Sequence, residues 1–487
     1  MVCVDNLVNG WEVVIGLEIH AQISTKSKLF SSSSTDFGAE PNTQVSFYDA
    51  AMPGTLPVLN NLVIDQVVKT GLGIRGKINT VSKFDRKNYF YPDLPAGYQI
   101  SQFYYPIVTN GHVNIPTKEG NIKTIHVERI HIEQDAGKSI HDLSAGHSCV
   151  DLNRAGVPLM EIVSKPDIRS SYEAMQYVRT FRTLLRYLGS CDCNMERGNL
   201  RVDANISIRK PGTQFGNRVE IKNINSIKFL GDALNYEIER QIIINESGNN
   251  VFQETRLFDP SLGETRSMRS KENASDYRYF PDPDLKPVVL SEERIARIKM
   301  ELPELPDEKY RKFTENYCLT PEDANILIEE KAVADSFEIA ISASKIKTKE
   351  SIKLIANWIT GELFAVLNKE GKTIEDINFP IEYIAELVDL ILDKTISGKI
   401  AKTVFSEIIK TCGKPREIVK RLGLIQIQDE SVIQNAVEEV VVENAPQVME
   451  YRAGKTQLFG FFVGTVMKKL QGRGNPELIN KVLKERL

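Results

Sequence analysis

Polar side chains, among them acids and histidines, recur at every second position of four short apolar segments. In VIGLEIHAQI, Glu18 and His20 alternate with apolar residues, and a similar alternation returns at 128–135, 200–209 and 218–223. This period is typical of β-strands, in which successive side chains point to opposite faces of a sheet. We therefore expect four strands, each with an apolar face in the core and a polar face opposite. The polar faces carry Glu18, His20 and Gln22; Arg129, His131, Glu133 and Asp135; Arg201, Asp203, Asn205, Ser207 and Arg209; and Arg218, Glu220 and Lys222.

The composition of these polar faces indicates a site for a cation bound together with an anion. A face that is merely solvated tends to carry Lys, Thr, Ser and Glu, whereas these faces combine acids, histidine, asparagine and arginine. Carboxylates at such sites commonly hold Mg²⁺, which keeps some waters and takes its other ligands from phosphate oxygens. We interpret the face as a magnesium and phosphate site. The alternative is an ordinary antiparallel sheet with one face in solvent.

The chain lacks the glycine-rich loop that usually binds nucleotide phosphates. The segments DAGKS and AGKT have Ile132 and Met449 where a P-loop requires glycine. Phosphate would instead be bound by side chains that supply positive charge and bidentate hydrogen bonds. The candidates are Arg86, Lys87, Arg154 and Lys222.

Motifs for hydrolysis and for zinc binding are missing as well. The sequence contains neither Gly-x-Ser-x-Gly nor Gly-x-Cys-x-Gly, so a chain of this kind that uses ammonia must obtain it elsewhere. Of the six cysteines, which include Cys3, only Cys191 and Cys193 are close in sequence. Their Cys-x-Cys spacing suits neither a zinc ribbon nor a disulfide framework, and we expect reduced thiols.

Two loops combine basic and aromatic residues, FDRKNYFYPDLPAGYQISQ at 84–102 and DYRYFPDPDLKP at 276–287. Their rings could stack on a nucleic-acid base while Arg and Lys contact phosphate. They could equally be turns whose aromatic residues pack into a core. The sequence leaves both interpretations open.

The elements that must position these residues indicate an α+β fold. Among the strands, Ser170–Gly189 reads as a helix, with a capping box at Ser170 and Glu173 and a glycine stop. Helical spacing replaces the strand period after the proline-containing stretch near 300–310. We expect a mainly antiparallel-sheet cradle domain at 1–298, an all-α helical domain at 299–412 and a small helical tail domain at 413–487.

Overall composition restricts the class of protein. The chain has 487 residues, 41% hydrophobic and 26% charged, and a formal net charge of −4, which excludes a disordered or uniformly basic protein. No 18-residue apolar run or targeting segment is evident, so we expect a cytoplasmic protein that does not enter a membrane. Residues 451–487 carry eight Lys or Arg against two Glu, which suits contacts with RNA phosphates.

Several long motifs strongly resemble the GatB family, which forms one of the subunits of bacterial and organellar aspartyl/glutamyl-tRNA amidotransferases. The resemblance begins at Val14 and continues to the C-terminus. It rests on VIGLEIHAQI, AMPGTLPVLN, FDRKNYFYPDLPAGYQISQ, RIHIEQDAGK, DLNRAGVPLMEIVSKPD, NMERGNLRVDANISI, EIKNINS and DYRYFPDPDLKP, and on the C-terminal YRAGKTQLFGFFVGTVMKKLQGRGNPELIN.

The resemblance implies an ATP-dependent, glutamine-hydrolysing amidotransferase, a carbon–nitrogen ligase. Such an enzyme uses ATP and Mg²⁺ to activate the side-chain carboxylate of mischarged Glu-tRNA(Gln) or Asp-tRNA(Asn), and then amidates it. The implied catalytic residues are Lys87 at phosphate, Asp203 orienting metal-bound water or substrate, and Glu133. The implied metal ligands are Glu18, His20, Glu133 and Glu220.

The resemblance also implies a heterotrimer and three partners: an amidase (glutaminase) that hydrolyses glutamine and channels ammonia, a small third chain that bridges the two, and mischarged tRNA. Some family members hold zinc through cysteine pairs near 29–54. This chain has Ser31, Ser33, Ser46 and Asp49 there, so we expect no zinc. Where the family often has a second acid after Glu133, the chain has Gln134, which would face the other side of the strand.

Two alternatives stay open. The chain could be a non-catalytic scaffold whose polar sheet face grips tRNA directly, although its acids would repel phosphate unless a cation intervened. It could also be a self-sufficient ligase that uses free ammonia.

Overall fold

The structure, a computed structural model, describes residues 7–141, 146–270, 276–427 and 429–487. Cys3 lies outside the described residues. The chain forms two compact units, of which one ends at Asp307 and the other begins at Glu308. The domain boundaries drawn from the sequence, after residues 298 and 412, stay predictions.

One large sheet dominates the first unit. Its strands are β1 (Leu7–Val8), β2 (Trp11–Gln22), β3 (Lys77–Ile78), β7 (Val108–Pro116), β8 (Ile122–Gln134), β11 (Pro158–Ser164), β12 (Leu200–Arg209), β13 (Val219–Ile224), β14 (Glu254–Asp259) and β15 (Glu264–Ser270). They lie in the order β15, β14, β13, β12, β2, β11, β8, β7 and β3, with β1 paired to β2. Neighbours are antiparallel except β13 and β14, which are parallel.

Short strands form smaller sheets beside it. Their bounds are β4 (Val81–Ser82), β5 (Asp85–Asn88), β6 (Tyr98–Ser101), β9 (Lys138–Ile140), β10 (Cys149–Asp151), β16 (Phe280–Pro281) and β17 (Val288–Val289). Strands β5, β6 and β16 pair in one sheet, β9 with β10 in a second and β4 with β17 in a third.

Helices cover the apolar face of the large sheet. The helices of this unit are α1 (Asn61–Gly73), α2 (Ser171–Leu188), α3 (Ile227–Glu246) and α4 (Glu292–Met300). Alternate residues of β2, such as Ile15, Leu17 and Ile19, are buried in one core with Phe181 of α2 and Leu234 of α3. The opposite face is therefore left for the polar side chains, and the expected α+β fold with a mainly antiparallel sheet is confirmed.

Helix α2 begins and ends where its local signals predict. The Ser170 side chain accepts a hydrogen bond from the backbone N–H of Glu173, which satisfies one of the free donors at the helix start. At the other end, Gly189 adopts a left-handed conformation with φ of 66°, which a residue without a side chain reaches at little cost.

The second unit is helical, as predicted. Its last part has a core of its own, in which Ile433 and Val437 are buried with Phe462, Val466 and Ile479. Across the described segments, the helices are too short or too polar to span a lipid bilayer. The helices are α5 (Pro306–Arg311), which crosses the boundary between the units, α6 (Pro321–Ile328), α7 (Lys331–Ala343), α8 (Lys349–Asn357), α9 (Phe364–Glu370), α10 (Glu382–Leu392), α11 (Gly398–Thr411), α12 (Pro415–Arg421), α13 (Glu430–Glu443), α14 (Ala445–Arg452), α15 (Phe459–Lys469) and α16 (Pro476–Arg486).

Candidate functional site

The four polar segments do lie in one sheet, but a fifth strand separates two of them. On one side of β2, Asp203 of β12 is paired with Glu18. On the other side, β11 lies between β2 and β8 and places Glu161 opposite both His20 and His131. Strand pairing thus gathers acids that are far apart in sequence onto one face.

The first group of side chains is the histidine–glutamate cluster, which we define as His20, His131, Glu133 and Glu161. The Oε2 atom of Glu161 lies 3.4 Å from Nε2 of His20 and 3.3 Å from Nε2 of His131. The same nitrogen of His131 is 3.2 Å from Oε1 of Glu133. His20, Glu133 and Glu161 can offer ligand atoms that all lie within 4.8 Å of one another. The cluster has the spacing and donor types of a metal site.

Charge within this cluster is balanced by the imidazoles. Burial opposes a charge on His131, but the charge of Glu161 and the hydrogen bond to Glu133 outweigh it and raise the pKa of His131 to about 9. Burial likewise opposes ionisation of Glu161, yet His131 and His20 hold the pKa of its carboxyl well below the ordinary value. Burial and the charge of Glu161 raise the pKa of Glu133, but His131 and Lys87 bring it below the ordinary value. Glu133, which is buried, and Glu161, which is half-buried, therefore stay ionised, and the imidazoles balance their charge.

The second group is the triacid cluster, which we define as Glu18, Asp203 and Glu220. Its carboxylate oxygens can also come within 4.8 Å of one another. The Nζ atom of Lys222 lies 2.7 Å from Asp203 and 2.8 Å from Glu220, and so bridges two of the three acids. Asn205 donates a hydrogen bond of 2.9 Å to Oε1 of Glu18. Burial and the negative charge of Glu161 raise the pKa of Glu18, which indicates an excess of negative charge where the two clusters adjoin.

Of the four predicted phosphate-binding residues, Lys222 and Lys87 lie at these clusters. Lys222 lies beside the triacid cluster and forms ion pairs with two of its acids. The Nζ atom of Lys87, on β5, lies 5.1 Å from the ring centre of Tyr277 and 5.8 Å from that of Tyr89. Its charge also contributes to the low pKa of Glu133. Both lysines therefore act on acids of these clusters, and their role at phosphate stays a prediction.

The other two predicted phosphate-binding residues are engaged elsewhere. Arg86 forms ion pairs with Asp282 at 2.6 Å and with Asp284 at 2.9 Å, which join the two basic-aromatic loops. Arg154 donates hydrogen bonds to the carbonyl oxygens of Ala136 at 2.9 Å and Gly137 at 2.6 Å. Both guanidinium groups therefore hold loops at the edge of the site.

The two basic-aromatic loops pack against each other beside the histidine–glutamate cluster. Phe103 and Tyr279 stack with ring centres 4.1 Å apart, and Tyr277 meets both Tyr89 and Tyr279 edge to face. Burial raises the pKa of Tyr279, and the charges of Glu133 and Glu161 add to the rise. These rings form a packed wall, whereas the ring of Phe90 is 89% exposed.

Comparison with known proteins bears on this geometry. Residues 13–296 match the family model described as the GatB/GatE catalytic domain, and residues 337–487 match the GatB domain. The GatB-type subunit of the aspartyl/glutamyl-tRNA(Asn/Gln) amidotransferase of Rickettsia rickettsii is 54% identical over 487 residues, 100% of both chains. The chain belongs to this family. The corresponding protein of Granulibacter bethesdensis is similarly 54% identical over 484 residues, 99% of both chains. The resemblance read from the motifs is confirmed.

The part of the chain that matches the catalytic-domain model contains both clusters. One member, Glu161, lies on β11, which lacks the alternating pattern that identifies the other four strands. Its strand, PLMEIVS, has a single acid among apolar neighbours and shows no repeated alternation. The usable signal was a lone acid within a strand-like apolar run, because a buried carboxylate needs a partner.

In the segment at 29–54, where some family members hold zinc, Asp49 pairs with a lysine. The Lys28 ammonium and the Asp49 carboxylate form a buried ion pair at 3.2 Å. Ser31 donates a hydrogen bond to Asp49, and the backbone N–H of Ser46 donates another at 2.9 Å. Among the cysteines that the structure describes, Cys191 and Cys193 are buried and Cys149, Cys318 and Cys412 are exposed.

Proposed function

We propose that this chain uses ATP to activate the side-chain carboxylate of glutamate or aspartate carried by mischarged tRNA(Gln) or tRNA(Asn), and that it then directs amidation of that group. The observation that carries the proposal is the pair of adjoining acid clusters with Lys87 and Lys222 beside them. The names of the curated relatives, which specify a tRNA-dependent amidotransferase, support the same reaction.

The donor sets fit Mg²⁺. Five carboxylates and two imidazoles lie in the two clusters on one sheet face, and the raised pKa of Glu18, caused by burial and by Glu161, reflects negative charge that a divalent cation would neutralise. We propose that the ion is held by Glu18, His20, Glu133 and Glu220, with Glu161 added to the set that the sequence indicated. When bound, Mg²⁺ supplies charge neutralisation for the oxygens of the transferred phosphoryl group.

The chemistry requires positioning more than covalent catalysis. A carboxylate oxygen of the aminoacyl side chain attacks the γ-phosphorus of ATP, the bond to ADP breaks, and an acyl phosphate results. Lys87 and Lys222 stabilise the charge on the phosphoryl oxygens, and Lys222 also fixes the carboxylate of Asp203, which orients water or substrate. Ammonia then attacks the acyl carbon, phosphate leaves, and the nitrogen loses one proton to give the amide.

Ammonia must come from another protein, because the sequence contains no motif for a glutaminase nucleophile. Free ammonia is mostly protonated at neutral pH and is then not nucleophilic. We therefore include in the proposal an amidase partner that releases ammonia from glutamine and a small third chain that joins the two into a heterotrimer. The cytoplasm, where aminoacyl-tRNA is made, is the proposed location.

The C-terminal helices supply the proposed tRNA contact. Residues 451–487 carry a local excess of six positive charges within a chain whose formal net charge is −4. Basic side chains contact phosphates without regard to sequence and contribute most of the affinity for nucleic acid. We propose that the tail at 413–487 holds tRNA while the sheet performs the reaction.

The test is to measure ADP release and amide formation with mischarged tRNA for Glu133→Gln in the heterotrimeric complex. We expect loss of both by at least 100-fold, with tRNA affinity retained, because the substitution removes one buried charge from the cation site. The exposed Glu239→Gln on α3 is the matched control. The scaffold alternative predicts the reverse: turnover persists in Glu133→Gln and tRNA affinity falls.

A further inference from the structure

A pocket of about 340 Å³ opens where the start of β2 and the end of β12 meet the C-terminal end of α3. The connection that leads from β12 to β13, at 210–218, and the chain that follows α3 complete its wall. None of the described residues that line it belongs to the histidine–glutamate cluster or to the triacid cluster. Its chemistry is therefore separate from that of the acid-lined sheet face.

One cation of this pocket lacks an acidic partner. The Nζ atom of Lys210 lies 3.8 Å from the ring centre of Trp11, so the ammonium is held over the face of the indole. The indole is itself fixed by a hydrogen bond of 3.4 Å that its Nε1 donates to Glu246. Arg209, the other cation of the lining, is paired with Glu12 at 2.6 Å, whereas Lys210 forms no ion pair within the described part of the chain. The described lining contains no acid, so Lys210 can meet an anionic group of a ligand.

A buried amide of the same pocket has an unused acceptor. Gln241 of α3 lines the pocket and is fully buried, and its Nε2 donates to Oε1 of Glu237 at 2.9 Å and to the carbonyl oxygen of Ile206 at 3.5 Å. Both partners can only accept, so the orientation of the amide is fixed. Its Oε1 accepts no hydrogen bond from the described residues. Because buried side-chain oxygens nearly always have a donor, this oxygen calls for an N–H or O–H group of a molecule in the pocket.

Amide side chains make up much of the remaining lining. They belong to Gln214, Asn217, Asn245 and Asn250, and each offers both donors and an acceptor. Asn217 is held in place by the hydrogen bond of 2.8 Å that its Nδ2 donates to the carbonyl oxygen of Val251. Such a lining suits a ligand whose own polar group donates and accepts at once, as a carboxamide does.

We propose that this pocket binds a free amino acid with a carboxamide side chain, glutamine or asparagine. The α-carboxylate of the ligand meets Lys210, and its α-ammonium donates to Oε1 of Gln241 and to neighbouring amide oxygens such as that of Asn245. The carboxamide exchanges hydrogen bonds with the other amides of the lining. Pockets for drug-sized ligands usually measure about 300–1,000 Å³, so about 340 Å³ suits a molecule of this small size. The assignment does not depend on the reaction proposed above.

The test is calorimetric titration of the full-length chain with L-glutamine and with L-asparagine. We expect saturable binding of one molecule per chain. Lys210→Met keeps the length of the side chain and removes its charge, so it should weaken binding by about tenfold or more. Lys118→Met is the matched control, because Lys118 is also exposed and also lies over a ring, that of Tyr172 at 5.6 Å, outside the pocket. This control should bind the amino acids within about twofold of wild type.

A second variant tests the unused acceptor. Gln241→Met removes Oε1 and should weaken binding of glutamine by about tenfold. Glutaramate keeps the carboxylate and the carboxamide but has no ammonium, so it should bind wild type and Gln241→Met alike. Glu237 keeps its hydrogen bonds from Arg240 at 2.7 Å and from Thr265 at 3.0 Å, and thermal unfolding checks that the variant is folded. Lys210 is exposed, so Lys210→Met decides the proposal even where Gln241→Met fails to fold.

Three outcomes would overturn the assignment. The first is that neither amino acid binds the wild-type chain, or that both bind Lys210→Met as tightly as wild type. The second is that inorganic phosphate or glutaramate binds wild type as tightly as glutamine does, because the pocket would then take any anion. The third is that L-leucine binds equally well, because the carboxamide would then not be recognised.

Discussion

Glu161 offers the sharpest test of the cation site, because it contacts both imidazoles of the histidine–glutamate cluster. In Glu161→Gln, one oxygen and the size of the side chain are kept, and one negative charge is lost. His131 keeps its contact of 3.2 Å with Glu133, so the packing of the cluster should persist. The substitution therefore tests charge rather than shape.

The magnitude follows from the distances in the cluster. Ligand atoms of His20, Glu133 and Glu161 lie within 4.8 Å of one another, so an ion held among them would be close to all three. Two unit charges about 4 Å apart interact by about 4 kcal/mol at an effective dielectric constant of about 20, and a divalent ion doubles this to about 8 kcal/mol. The glutamine dipole and water recover part of this, and we expect a net loss of about 2 kcal/mol, which is about 30-fold in affinity.

The assay is binding of Mn²⁺, as a paramagnetic substitute for Mg²⁺, followed by electron paramagnetic resonance at fixed pH. Thermal unfolding checks that Glu161→Gln is folded, and Glu239→Gln serves as the surface control. ADP release with mischarged tRNA should fall in parallel with Mn²⁺ affinity. If Glu161→Gln bound Mn²⁺ as wild type does while Glu133→Gln did not, Glu161 would not belong to the ligand set and the reasoning from strand pairing would be refuted.

Three other predictions concern stability and the tail. Lys28→Met should lower the free energy of unfolding by about 3–5 kcal/mol in urea titrations, because it leaves the Asp49 carboxylate buried without the Lys28 ammonium. A double variant that also carries Asp49→Leu should recover much of this loss. A loss of stability in the double variant equal to the sum of the losses in the two single variants would contradict this. The hydrogen bond from Arg209 lowers the pKa of Glu12, so the ionised carboxylate stabilises the fold above its unfolded pKa, and this contribution is lost as pH falls through the folded pKa. Glu12→Gln should therefore be less stable than wild type at pH 7, and the difference in stability should disappear in strong acid. A difference that persists in strong acid would exclude the charge as its cause. Deletion of 413–487 should weaken tRNA-dependent amidation and leave glutamine hydrolysis by the partner largely intact, and unaltered tRNA affinity in gel-shift titrations would refute the role of the tail.

Features with local causes could be predicted from the sequence. The bounds of α2 follow from the cap at Ser170 and the glycine at Gly189, which act within one turn of the helix. The polar face of β2 follows from the alternation around Glu18 and His20, since the strand period is two.

Features that depend on distant pairing could not be predicted. Nothing in the sequence around β11 specifies that it lies between β2 and β8, because strand order depends on contacts between residues far apart in the chain, such as Glu161 and His20. For this reason the sequence alone does not identify Glu161, and the buried pair of Lys28 and Asp49 has no local pattern either. The engagement of Arg86 by two aspartates likewise appears only when both basic-aromatic loops are packed together.

The order of strands in the sheet has a consequence for how the protein is made. Synthesis delivers Glu18 first and Glu220 last, with β11 and β12 in between, so a growing chain carries isolated acids long before their neighbours exist. Because a metal site is rarely formed in an unfolded chain, the triacid cluster should be complete only after β13 has left the ribosome, whereas His20, Glu133 and Glu161 can come together once β11 has been made. Chains truncated before β13 would then lack Glu220 together with the strands at that edge of the sheet, and would be incomplete in folding and in the triacid cluster alike.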